Sequence, residues 1–196
     1  MPTAKQRRGE ETRQRLLDAA LAAHEAGETT VQSVLASSGV SLGSLYHHFG
    51  SFDGLVAALY ARCLGEMLDA TVAEMERART ARTGVTAAAK AYLAFTMDRS
   101  AEARVIHLSE YIAYRPAHAE VIAEAKRPRM ARISAWLAPH IEAGSIVDLT
   151  DPLIEMVLVG PLAELSRRWL SGADVDLDRA AKLLPPRIWA ALRGGE

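Results

Sequence analysis

A single cysteine, Cys63, stands in a chain of 196 residues, so neither an internal disulfide nor an all-cysteine zinc site can form within it. No apolar run approaches the ~20 residues that cross a bilayer, and the opening MPTAKQRRGEETRQR lacks the apolar stretch of a secretory signal. Neither sign of charge dominates: 23 Lys and Arg stand against 24 Asp and Glu, which argues against non-specific coating of nucleic acid. Also missing are G-x-S-x-G, H-E-x-x-H, a phosphate-cradling glycine loop and a Cys–His pairing close in sequence, so no catalytic residues and no cofactor are expected. These absences leave the expectation of a soluble protein in a reducing cytoplasm, with no membrane partner.

What is present is helical periodicity. Apolar residues recur every three to four positions almost throughout, and no stretch alternates between hairpin turns, which predicts an all-α fold. With 49% hydrophobic and 24% charged residues, a chain of this length buries a workable core. A first helix is predicted from Glu11 to about Ala26, with Leu16, Leu17, Ala20 and Leu21 as its apolar stripe and Gly27 as its stop. Thr29 and Gln32 have the spacing of a capping box, so a short second helix starts there and ends at Ser37-Ser38-Gly39. Ser41 caps a third helix, Leu42 to Phe49, and Ser51 a fourth, whose inner stripe is Leu55, Leu59 and Cys63. At least five further segments follow Gly65, with breaks predicted at 82–84, 99–100, 115–116, 143–152 and 171–176.

The stretch GVSLGSLYHHFGS, 39–51, sets Tyr46, His47 and His48 in a row, and consecutive helical side chains point to different faces. Some of these rings must face outward. Two short helices joined at Gly39, the second capped by serine, make a helix-turn-helix, a motif whose second helix lies in the major groove of DNA. With Leu45 and Phe49 facing inward, Ser41, Leu42, Gly43 and Ser44 fall at the groove end. Tyr46, His47 and His48 are then placed for flanking phosphates or, in part, bases. Lys5, Arg7, Arg8, Arg13 and Arg15 crowd the amino terminus against only Glu10 and Glu11. Alone they read as a solvated tail; beside a helix-turn-helix they also offer phosphate contacts.

The segment TTVQSVLASSGVSLGSLYHHFGSFDGL, 29–55, resembles the amino-terminal DNA-binding domain of TetR-type transcriptional repressors: a threonine pair, G-V-S, a small-residue step into L-Y-x-H-F, then a serine-capped helix. LLDAALAA at 16–23 resembles the first helix of that family, and DLTDPLIEMVLVGPLAELSRRWL at 148–170 its carboxy-terminal dimerisation helix. The resemblance implies that residues 1–64 bind a pseudo-palindromic double-stranded DNA operator, with Thr29, Thr30 and Gln32 joining the residues of the third helix at the DNA. It implies a second domain, 65–196, that takes a small-molecule effector and forms a homodimer through Pro152 to Leu192. Three departures stand out: a short connection from Leu21 to Thr29, Leu35 where alanine is common, and Phe52 where a lysine usually follows the capping serine. The last removes a phosphate contact. A helical small-molecule-binding protein or enzyme on the same fold, with weak or no specific DNA binding, is the alternative these departures keep open.

A partly hydrophobic effector needs apolar surface with a few polar handles, and Met67, Tyr92, Phe95, His107 and Tyr111 offer these across three successive helices. Ordinary core packing is the competing reading for each taken singly. His47 and His48 diverge on a helix with no carboxylate at a completing spacing, and His107 with Glu110 lacks the second motif of a di-metal site, so no metal is expected. The basic run AKRPRMAR, 125–132, reads as the solvated face of a helix that Pro128 kinks or interrupts. Residues 152–170 are apolar on more than one face, which predicts burial from several directions, and Gly160 allows close backbone approach.

Overall fold

The computed structural model describes residues 3–109, 116–149 and 151–195, and these hold nine α-helices and no strand. Helix α1 spans Ala4–Glu25, α2 Val31–Ser38, α3 Leu42–Phe49 and α4 Phe52–Glu76. They are followed by α5 at Ala81–Asp98, α6 at Ser100–Leu108, α7 at Ala119–Glu142, α8 at Asp151–Leu170 and α9 at Leu177–Leu192, with a 3-10 turn at Pro116–His118 before α7.

The helix starts follow their caps. Helix α1 begins two turns earlier than the sequence suggests because Thr3 and Gln6 close a capping box: Thr3 Oγ1 accepts from the Gln6 amide at 3.3 Å and Gln6 Oε1 from the Thr3 amide at 2.7 Å. Lys5, Arg7 and Arg8 are therefore exposed residues of a helix, not of a tail. Helix α2 is capped one residue later than expected, by Thr30 with Ser33, whose hydroxyl and amide exchange bonds at 3.2 and 3.1 Å. Thr30 holds extended backbone (φ −125°, ψ 158°), and Ser33 returns the bond from a short side chain, which leaves Gln32 on the exposed face. Thr80 and Thr83 cap α5 in the same way, so 82–84 is not a break. Gly84 is instead a contact site, where a Cβ would come within 2.1 Å of the Trp136 indole.

Packing joins these elements end to end. Leu16, Leu17, Val34, Leu45, Leu55 and Leu59 are all but fully buried and pin α1, α2 and α3 onto the first turns of α4. Each such leucine contributes about 2 kcal/mol by leaving water. Helix α4 continues without a break through Gly65 and packs against α5 and α7. Helix α9 lies on α5, and α6 lies between α1 and α8. The hydroxyls of Thr96 and Ser166, fully buried, bond at 3.0 Å and tie α5 to α8.

Pro128 and Pro139 both lie inside α7, which neither of them interrupts. The helix is held along its length from outside. Arg129 forks onto Asp69 of α4, Arg132 onto Glu76 of α4, and Lys126 meets Glu155 of α8. Three of the four basic residues of the run thus make interhelical ion pairs, while Arg127 pairs with Glu120 on the exposed face of its own helix.

Candidate functional site

The helix-turn-helix is set by three local devices. Gly39 adopts left-handed backbone (φ 63°, ψ 22°), and its amide closes α2 on the Leu35 carbonyl at 3.0 Å. Ser41 caps α3 by accepting from the Ser44 amide at 3.2 Å. The Arg15 guanidinium reaches from α1 to the Ser38 carbonyl, holding the end of α2 against α1.

With Leu45 in the core, α3 presents Ser41, Leu42, Gly43, Tyr46 and His47 to solvent, and Ser44 is partly so. Leu42 is 42% and Tyr46 47% exposed, a large apolar area to leave wet without a partner. The Ser41 and Ser44 hydroxyls bond one another at 3.1 Å. His48 does not project with its two neighbours. It is half-buried, stands edge-on to His47 with ring centres 5.3 Å apart, and faces Gly9 of α1. Phe49 is half-buried under the Arg13 guanidinium, 5.5 Å from the ring centre. Thr30 and Gln32 are exposed at the start of α2 and Thr29 is partly so, while the Thr30 hydroxyl is engaged by its cap. Leu35 and Phe52 are half-buried and pack against the core, so neither replaces a basic contact.

A cavity of about 590 Å³ lies among α4, α5, α6, α7 and α8. Met67, Tyr92 and His107, three of the five candidates, line it together. Phe95 does not. One turn beyond Tyr92, it is buried where α5 ends, with the Arg99 guanidinium 5.2 Å from its ring centre. Tyr111 and Glu110 lie outside the described residues. Tyr60, Lys126 and Glu155 also line the cavity and were missed. The signal for Tyr60 was its spacing of seven from Met67, two turns along one face of α4. Lys126 and Glu155 carried none, since charged residues on a helix ordinarily read as solvated.

Two buried groups mark one end of this cavity. Tyr92 Oη lies 3.4 Å from His107 Nε2. Desolvation pushes the His107 pKa down to about 4, so the ring is neutral at physiological pH, and burial pushes the Tyr92 phenol up. Helix α6, which carries His107, is linked outward on both sides. Arg104 donates to the Leu170 carbonyl of α8 at 2.7 Å. A chain of ion pairs runs from Asp18 of α1 through Arg62 and Glu66 of α4 to Arg99 and Glu102 at the start of α6.

On the outer face of α8 and α9, Leu153, Met156, Gly160, Pro161 and Leu183 are exposed, Met156 by 66%. Leu165 and Leu184 floor a shallow apolar groove between the two helices.

Residues 16–59, from the middle of α1 through α3 into the second turn of α4, match the family "Bacterial regulatory proteins, tetR family". That segment of this chain is similar to the tetR family. The match takes in all of the Gly39 turn and α3, and it begins after the basic first turns of α1. No curated protein matches the sequence. Among solved structures, a TetR family transcription regulator from Marinobacter aquaeolei VT8 superposes with a TM-score of 0.75 at 19% identity, covering 96% of this chain and 99% of that one. A tetR-family regulatory protein from Rhodococcus RHA1 gives 0.71 at 21% identity over 94% and 98% of the two chains. FadR from Bacillus subtilis, solved in complex with stearoyl-CoA, gives 0.72 at 16% identity over 90% and 97%. Identities this low speak of fold, and the coverage extends the tetR-type architecture over almost the whole chain.

Proposed function

We propose that the protein is a ligand-responsive transcriptional regulator, acting as a repressor, in which residues 1–64 bind a pseudo-palindromic operator and residues 65–196 take a small-molecule effector and dimerise. The observation that carries the reading is the doubly capped α2–turn–α3 unit, inside the tetR-family match, with Leu42, Tyr46 and His47 facing solvent. An exposed leucine and two exposed rings beside a capped helix start are suited to a groove, where thymine methyls and phosphates are the partners. The exposed Lys5, Arg7 and Arg8 add phosphate contacts from α1. Dimerisation is supported by the bare apolar face of α8 and α9, which buries itself against a second copy by two-fold symmetry. Release follows if the effector prefers the arrangement in which the two recognition helices are misplaced, and linkage then makes operator DNA weaken the effector by the same factor.

Selection of bound duplexes from a random DNA pool tests the reading. An enriched inverted repeat with half-sites about one or more helical turns apart supports it. Failure to enrich any sequence at low salt refutes it. In that event Phe52, packed on the core where a phosphate-binding lysine would serve, favours the second reading: a small-molecule-binding protein on this fold with no specific DNA affinity.

A further inference from the structure

The cavity has two chemically different ends. At the buried end Tyr60, Tyr92 and His107 converge from α4, α5 and α6, Tyr92 being 3% and His107 7% exposed. The Tyr92–His107 hydrogen bond of 3.4 Å is long and therefore weak, so a ligand oxygen approaching from the cavity can compete for it. Burial is the main cause of both pKa shifts: it lowers His107 and, with the charge repulsion of the neighbouring Tyr60, raises Tyr92. At the solvent end Lys126 and Glu155, the two charged residues among the described residues of the lining, stand 3.4 Å apart and pair with each other, their side chains 37% and 51% exposed. The wall between is aliphatic and sulfur-bearing, including Met67, Met75 and Met130, which adapt to an irregular apolar body.

This arrangement discriminates by charge. Among the described residues, no cation lines the buried end to receive a carboxylate or phosphate stripped of its hydration, and no carboxylate lines it to receive an ammonium. An anion at the mouth would have to displace Glu155 from Lys126 and then remain beside it. A carbonyl or hydroxyl oxygen, by contrast, can accept the Tyr92 O–H at little desolvation cost. We propose that the effector is an uncharged molecule with an apolar body and one hydrogen-bonding oxygen, a ketone, ester or alcohol, which enters oxygen-first to meet Tyr92 and His107. The inference rests on the reading of this cavity as the effector site.

The test uses the full chain and three probes matched in carbon number: 2-dodecanone, 1-dodecanol and dodecanoate. Binding is followed by tryptophan emission, Trp136 lying between the lining residues Ile133 and Leu137 on α7, and by release of the duplex obtained from the selection above. The ketone and the alcohol are expected to bind at least about ten-fold more tightly than dodecanoate, the loss of one hydrogen-bonded fit against an unpaired charge. Tyr92→Phe, which keeps the ring and the packing, and His107→Leu should each weaken 2-dodecanone about ten-fold. Arg127→Met, at a side chain outside the lining that pairs with Glu120, should leave it unchanged. Tighter binding of dodecanoate, lost in Lys126→Met, overturns the ligand class while leaving an effector-responsive regulator in place. Equal binding of 2-dodecanone by wild type and Tyr92→Phe overturns the proposed orientation. If none of the probes binds, both the ligand class and the cavity's role as effector site fall, and the DNA reading stands or falls on the selection alone.

Discussion

Substituting Gly39 separates two contributions at the turn of the helix-turn-helix. Its φ of 63° is left-handed, and an alanine held there costs about 1–2 kcal/mol from Cβ crowding. The added Cβ would also lie 3.3 Å from Arg15 Nη2, the guanidinium nitrogen that donates to the Ser38 carbonyl. That neighbour is the far end of a flexible side chain, so it yields easily. The total depends on whether its hydrogen bond survives, since a partly buried bond from a charged donor contributes about 1.5–3 kcal/mol. If Arg15 shifts by a few tenths of an ångström and keeps its bond, Gly39→Ala should cost about 1–2 kcal/mol; if the bond breaks, about 3–5 kcal/mol. Asparagine tolerates this backbone better, so Gly39→Asn should cost roughly half the strain of alanine. Urea unfolding reads these as shifts in midpoint at constant m. Repeating them in an Arg15→Met background completes a cycle: additive costs mean the bond survives, and a smaller cost of Gly39→Ala in that background means it was displaced. A Gly39→Ala protein within about 0.5 kcal/mol of wild type would show that the turn does not impose left-handed backbone and that this account of its geometry is wrong.

Three other outcomes follow from the structure. His107 is neutral when folded, with its pKa near 4 against the ordinary 6.5, so the unfolded chain takes up the proton more readily; stability should be full above pH 6.5 and decline as pH falls towards 4, by up to about 3 kcal/mol, and His107→Gln should flatten that slope in acid denaturation. Met156→Arg or Gly160→Arg on the bare face of α8 should weaken a dimer by about 2 kcal/mol or more, roughly thirty-fold in its dissociation constant, and a folded variant that sediments as an undiminished dimer would place the interface elsewhere. Tyr46→Ala and His47→Ala should lower affinity on every duplex, whereas Leu42→Ala and Ser44→Ala should alter base preference by about 1–3 kcal/mol at the positions they meet; equal losses by all four on all sequences would refute that division of roles.

The sequence by itself determined what depends on neighbours a few residues apart. Ser41 and Ser51 as caps, Gly39 as a left-handed stop, Leu45 as the buried residue of α3 and the all-helical fold were legible, because caps and periodicity act within one or two turns. Where two local solutions compete, local reasoning chose the wrong one. Thr29–Gln32 and Thr30–Ser33 offer nearly the same box, and Thr3 caps α1 ahead of a run of charges that reads as a tail.

Tertiary structure decided the remainder. Gly84 reads as a helix breaker until Trp136, fifty-two positions away, is seen packed on it. His48 follows two outward rings in sequence, but it is half-buried where α3 meets α1 at Gly9. Lys126 is an ordinary surface lysine on α7 until α8 brings Glu155 to it across the cavity mouth. Tyr92 and Phe95 are aromatic residues one turn apart and both buried, yet one borders the cavity and the other lies beneath Arg99 at the end of α5. A cavity is the space several helices fail to fill, so its lining is fixed by how they cross, and that is set by the sum of contacts between residues far apart in the chain.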